Sequence, residues 1–138
     1  MNANRNKLIL LVEDDRYSSI LLKEVLHRLH IDVVHLESGQ DAVDYFREHP
    51  EVDLILMDIK LPDITGYEAT AEIRKFNPTV PIIAQTAYAL LGDREKALNA
   101  GCSDYLSKPI YQKLLKQIIE KFAPDTNQQI TPENEVPD

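Results

Sequence analysis

Five short apolar runs alternate with five stretches of helical periodicity, and that alternation restricts the possible folds more than any other feature of the chain. The runs occupy residues 7–12, 32–36, 53–58, 81–86 and 104–107. Three are near-continuously apolar: Leu8-Ile9-Leu10-Leu11-Val12, Leu54-Ile55-Leu56-Met57 and Ile82-Ile83-Ala84. A strand with one wet face alternates apolar and polar residues. An unbroken apolar run means that both faces are covered, as in a parallel sheet between two layers of helix. Val33-Val34 and Tyr105-Leu106 are shorter and predict less deeply buried strands. Between the runs, Leu22, Val25, Leu26 and Leu29 line one face of a helix over 16–30. Ser38 is a suitable cap for a helix over 39–49 with Ala42, Val43 and Phe46 inward. Ala69, Ile73 and Phe76 mark a third helix, closed before Pro78. A weakly amphipathic fourth spans 90–100 and stops at Gly101. The stripe Leu114, Leu115, Ile118, Ile119 and Phe122 defines a fifth over 111–122, ended by Pro124. Five strand–helix units in sequence predict a parallel α/β sheet with helices on both faces. A closed barrel of such units needs about 200 residues or more. The 138 residues present predict an open, doubly wound sheet in one domain.

Charge and composition exclude several functions. Fifteen basic residues against 23 acidic ones give a net charge of −8. A nucleic-acid surface needs a basic face, and so does an anchor on an anionic membrane; neither is expected of this domain. No apolar run approaches the ~18 residues of a membrane span. The polar start of the chain predicts no secretory leader, and a lone cysteine, Cys102, excludes an internal disulfide. Together these predict a cytoplasmic domain. Residues 1–6 read as a lead, 7–123 as the folded domain and 124–138 as an acidic, disordered tail.

Ligands of open parallel sheets bind beyond the carboxyl ends of the strands. Glu13, Asp14 and Asp15 follow the first run, Asp58 ends the third, Thr86 ends the fourth, and Lys108-Pro109 follows the fifth. Any one of these acids alone reads most simply as a helix cap or turn residue. Their convergence from four strand ends is what carries chemistry. Two unit charges ~4 Å apart repel by about 4 kcal/mol at an effective dielectric of 20. Glu13, Asp14 and Asp58 therefore need protons or a cation. Carboxylate oxygens without His or Cys suit Mg²⁺, or Mn²⁺, rather than zinc. A cation, the Lys108 ammonium and the Thr86 hydroxyl around one carboxylate would clamp a phosphoryl group, with Asp58 as the nucleophile that accepts it. A cis Lys108–Pro109 bond would aim the lysine at that site.

The residues Glu13-Asp14, Met57-Asp58-Ile59 with Pro62 and Gly66, Thr86-Ala87, and Tyr105 before Lys108-Pro109 resemble the response-regulator receiver domains of two-component signalling. The resemblance covers about 6–122. It implies a flavodoxin-like, CheY-like fold: a five-stranded parallel sheet of order 2-1-3-4-5 flanked by five helices. It implies that Asp58 is the phosphoacceptor and receives phosphate from a histidine kinase or a histidine phosphotransfer domain. Glu13 and Asp14 would hold Mg²⁺ together with Asp58 and the backbone carbonyl of Lys60. Lys108 would contact the phosphoryl group. Thr86 and Tyr105 would form the switch pair that alters the face of the fourth helix, fifth strand and fifth helix for a downstream protein. The segment from Thr86 through Ile110 is most similar to receivers of hybrid sensor kinases, members of a phosphorelay. Glu13 stands where Asp is more frequent, and Arg16 where proline is. Tyr88, two residues past Thr86, is bulky enough to slow hydrolysis of an aspartyl phosphate.

Two other classes remain beside this one. A phosphohydrolase with an aspartate nucleophile typically carries a second acid two residues on, and Lys60 stands there. A binding module that never gains phosphate has no need of Glu13, Asp14, Asp58, Thr86 and Lys108 together. His27 and His30, one helical turn apart, read as a solvated face, and Cys102 as an inert thiol. About 16 residues follow Phe122, too few for an output domain in this chain. A free-standing receiver and a piece of a longer protein both remain open.

Overall fold

The computed structural model describes residues 5–87 and 90–125. Tyr88 and the proposed tail beyond Asp125 lie outside the described residues. Five strands, β1 (Leu8–Val12), β2 (Asp32–Leu36), β3 (Leu54–Asp58), β4 (Ile82–Thr86) and β5 (Asp104–Ser107), alternate with helices. The helices are α1 (Arg16–Arg28), α2 (Gly39–Glu48), α3 (Gly66–Arg74), α4 (Asp93–Ala100) and α5 (Gln112–Phe122). All strand pairs are parallel, in the order β2-β1-β3-β4-β5. That is the order implied by the resemblance.

Burial explains why the central runs are apolar on both sides. Leu10, Val12, Ile55, Met57, Ile82 and Ala84 pack against α2, α3 and α4 through Phe46, Ile73 and Ala97. Ile9, Leu11, Leu54, Leu56 and Ile83 point the other way, onto Leu22 and Leu26 of α1 and Leu115 and Ile118 of α5. Period-two alternation thus runs between two cores rather than between core and water. The edge strands β2 and β5 are mostly half-buried, as their shorter apolar runs predict.

Several helix ends differ from expectation for local reasons. α1 stops at Arg28 because His30 takes a left-handed conformation (φ 62°) and the Ile31 N–H turns back to the Leu26 carbonyl at 3.0 Å, a Schellman closure. Phe76 lies beyond α3. Asn77 Oδ1 accepts from the N–H groups of Thr79 and Val80, a side-chain turn that Pro78 reinforces. Phe76 instead rests on Phe46, its ring centroid 6.0 Å away. α4 begins at Asp93, not Leu90, because Gly92 is left-handed (φ 87°) and ends the approach to the helix. Leu114 of the α5 stripe is more than one-third exposed. Ser38 and Gly101 act as expected at the start of α2 and the end of α4. Cys102 is buried beside Thr70, and burial pushes its thiol up, consistent with an inert side chain.

Candidate functional site

The strand ends that carry the acids meet at one edge of the sheet. β1 and β3 are neighbours with Val12 opposite Met57. The next residues, Glu13 and Asp58, therefore rise side by side. Glu13 is fully buried, Asp58 is almost so, and Asp14 is exposed. Oxygen atoms of Glu13, Asp14 and Asp58 all lie within 4.8 Å of one another. Asp15, the other acid of that turn, is occupied elsewhere. Its carboxylate caps α1 by accepting from the Ser18 N–H at 2.8 Å, which holds its carboxyl below the usual range.

Lys108 reaches the acids from the far side. Its ammonium donates to Glu13 Oε1 at 2.5 Å and lies 3.3 Å from Asp58 Oδ1. The Lys108–Pro109 peptide is cis, the isomer the sequence left open. The Lys108 N–H bonds the Thr86 carbonyl at 2.7 Å, so the lysine backbone is anchored on the last residue of β4. Burial disfavours the lysine's charge, yet its bonds to the two carboxylates hold its pKa above the ordinary value. Asp58 is pushed up to about 7, first by loss of water and then by the Glu13 charge, with Lys108 opposing both. One ammonium is thus shared by two buried carboxylates, and Asp58, the farther of the two from it, stays raised by burial and by the Glu13 charge.

These groups line a cleft of about 500 Å³ that also reaches Lys60 and Thr86. A small, hard divalent cation keeps several waters and takes its remaining ligands from one or two carboxylates. A carboxylate triad within 4.8 Å is therefore of a size to hold such an ion, partly through its waters. Hard oxygens with no His or Cys among them fit that ion rather than zinc.

Tyr105 packs against the α2–α4 core, on the side of the sheet occupied by Ala84. Its hydroxyl donates to Asp93 Oδ2 at 3.3 Å, and the same oxygen accepts from the Leu90 N–H at 2.9 Å. Burial first, then Asp93, push the Tyr105 phenol up to about 12. Asp93 was not singled out from the sequence, where it reads as an ordinary acid in the first turn of a helix. Asp63 was equally inconspicuous. It accepts from the N–H groups of Gly39 and Gln40 at 2.9 and 2.8 Å, tying the β3–α3 loop to the start of α2.

Fold and cleft define the class: a doubly wound α/β domain with an acid triad and a lysine at the carboxyl edge of its sheet. The family model of the response regulator receiver domain matches residues 9–120. The chain belongs to that family, the receivers of two-component signalling. Over 119 residues it is 39% identical to hybrid signal transduction histidine kinase I of Dictyostelium discoideum, covering 80% of this chain and 7% of that protein. The chain thus spans a small part of that relative. Among solved structures it is similar to the receiver domain of a Pseudomonas aeruginosa PAO1 sensor histidine kinase, which has a magnesium ion coordinated in its active-site cleft. The identity is 42% and the TM-score 0.79, covering 86% of this chain and 98% of the other. It is also similar to the receiver domain of the Saccharomyces cerevisiae response regulator Ssk1, crystallised with the histidine phosphotransfer protein Ypd1. There the identity is 32% and the TM-score 0.78, covering 86% and 89% of the two chains.

Proposed function

We propose that this domain is a phosphoacceptor switch in which Asp58 takes a phosphoryl group from a phosphohistidine. The observation that carries the reading is the Lys108 ammonium shared between Glu13 and Asp58 at the mouth of an acid triad. In the transfer, a carboxylate oxygen of Asp58 attacks phosphorus. The P–N bond of the donor breaks, its electron pair stays on the imidazole nitrogen, and that nitrogen takes up a proton. Glu13, Asp14, Asp58 and the Lys60 carbonyl would hold Mg²⁺, with Mn²⁺ as an alternative. The ion would neutralise the negative charge that Lys108 leaves unmatched and supply electrostatic stabilisation to the phosphoryl oxygens. Lys108 and the Thr86 hydroxyl contact the transferred group.

Phosphorylation of Asp58 draws Thr86 toward the new oxygens and Tyr105 inward, away from Asp93. The surface of α4, β5 and α5 then changes for a downstream protein. The donor is a histidine kinase or a histidine phosphotransfer domain; the Ssk1–Ypd1 complex supports the latter. Exposed Tyr17, Ile20 and Leu21 of α1 offer apolar surface to such a donor, and a groove lined by Tyr17, Leu21 and Lys108 borders it. Residues 7–123 form the receiver, acting in the cytoplasm, with 124–138 as a tail. No described helix is long and apolar enough to cross a membrane. The domain promotes its own phosphorylation and dephosphorylation without turning over an external substrate. The absence of an acid at Lys60 supports that over a phosphohydrolase.

Incubation with acetyl phosphate or phosphoramidate and Mg²⁺, followed by intact-mass measurement, tests the reading. The expected result is a gain of one phosphoryl group in the wild type and none in Asp58→Asn. Continuous phosphate release from monoesters would identify a phosphohydrolase instead, and no label with any donor would identify a binding module.

A further inference from the structure

Glu13 sits one residue past β1, where the β1–β2 ladder runs out. Its N–H still has a strand partner, the Leu36 carbonyl at 3.0 Å. Leu36 is the last residue of β2, and by Ser38 the chain is capping α2. The Glu13 carbonyl is met by a side chain instead: His35 Nε2 lies 2.7 Å from it. The other ring nitrogen, Nδ1, lies 3.3 Å from the Lys23 ammonium on α1. A carbonyl can only accept a hydrogen bond and an ammonium can only donate one. The two contacts together require a neutral imidazole with its proton on Nε2. His35 therefore joins β2 and α1 to one particular peptide unit, the one that links Glu13 to Asp14. That unit sets where the Asp14 side chain departs. It also precedes the Asp15 N–H, which donates to Glu13 Oε2 at 3.1 Å.

We infer that His35 is a positioning residue for the divalent-cation site. It does not line the cleft, and its contacts among the described residues are a carbonyl and an ammonium. It fixes the plane of the Glu13–Asp14 peptide, and so the separation and aim of the two acids that follow β1. The inference rests on the proposed reading of Glu13 and Asp14 as cation ligands. Partners that orient ligands from outside the coordination sphere typically contribute ten- to a hundredfold in affinity.

The test is calorimetric titration of the full chain with MgCl₂, well below the melting temperature of each variant. His35→Ala is expected to bind about tenfold more weakly than wild type, whereas His35→Gln, whose amide N–H can reach the same carbonyl, stays within about threefold. Binding by His35→Ala within about twofold of wild type, or His35→Gln as weak as His35→Ala, overturns the inference. A wild type that takes up no Mg²⁺ overturns the cation site itself, and this inference with it, which separates the two failures. Should the alanine variant not fold, the ring ¹⁵N spectrum of the wild type decides. An Nε2–H tautomer whose resonances move on Mg²⁺ saturation supports the role. A ring protonated on Nδ1 alone, or one that Mg²⁺ leaves unmoved, rejects it.

Discussion

Asp58 has lost most of its water and stands beside Lys108 and a second carboxylate. Its carboxyl titrates near 7 in the fold and near 3.9 in an unfolded chain. A carboxyl raised on folding binds more protons in the native state between those two values. Its burden on stability is absent below about pH 4, grows as pH rises, and is complete above about pH 7. Asp58→Asn keeps the shape and removes the charge. Without divalent cations the variant is expected to be more stable than wild type at pH 8, by on the order of a few kcal/mol. The gap should close toward pH 4. Urea unfolding in the presence of a chelator measures both; a wild type equal to or more stable than the variant at pH 8 contradicts the electrostatic account. Asp58, Glu13 and Lys108 were legible in the sequence because each interrupts or ends a run of strand residues with a charge. His35 was not, because its partner is a backbone carbonyl just past the end of another strand, which leaves no mark in residue spacing. Gln85 was also missed. It is fully buried, and among the described residues neither side-chain polar atom has a hydrogen-bond partner. In the sequence it is one polar letter inside a strand, and only the second helical layer turns that letter into a buried amide.

Elements place these residues by how closely they approach one another, and α3 approaches β3 more closely than a side chain permits. A Cβ on Gly66 would stand 2.2 Å from the Asp58 carbonyl oxygen and 3.0 Å from the Ile59 Cα. The Gly66 N–H uses that approach to bond the Ile59 carbonyl at 2.8 Å. Gly66→Ala must push the start of α3 off the end of β3, breaking that bond and moving the phosphoacceptor. The expected cost is about 2–3 kcal/mol by denaturant unfolding, the upper range for overpacking. A slower gain of phosphate from acetyl phosphate should accompany it. A variant with wild-type stability and labelling rate would show that α3 can shift freely. Strand positions were readable to within a residue because buried parallel strands are apolar without a break. Helix ends were read less well. The start of α2 was legible from its oxygen-bearing cap, Ser38, whereas Thr65, which caps α3, was not singled out. The end of α1 depends on a left-handed histidine, and the start of α4 on a left-handed Gly92. Neither conformation follows from composition.

At the scale of the whole molecule, the site exists because of strand order. β1 is followed by α1 on one face, while β3 is followed by α3 on the other. The connections diverge between these adjacent strands and leave a crevice at their carboxyl ends. Periodicity alone predicted a parallel sheet but not this order, since five apolar strands can be permuted without changing the pattern. The order came from motif resemblance, and the pairing of β1 with both β2 and β3 confirms it. The crevice gathers acids in a chain that is already at −8, so the apo fold carries local repulsion on top of a global excess of negative charge. A cation that binds only the folded state must stabilise it, by about 2.7 kcal/mol at a free concentration a hundred times its dissociation constant. In a domain of this length each kcal/mol moves the melting temperature by about 4 °C. Mg²⁺ near saturation is therefore expected to raise it by about 10 °C. Screening by sodium chloride at matched ionic strength relieves only the diffuse repulsion and should move it much less. Asp14→Asn, which removes the exposed acid of the triad and leaves Glu13 and Asp58 in place, should lose most of the magnesium shift and keep the sodium response. Equal shifts with the two salts, or a magnesium shift that survives Asp14→Asn, would mean that the acids act only as surface charge and that the crevice holds no ion.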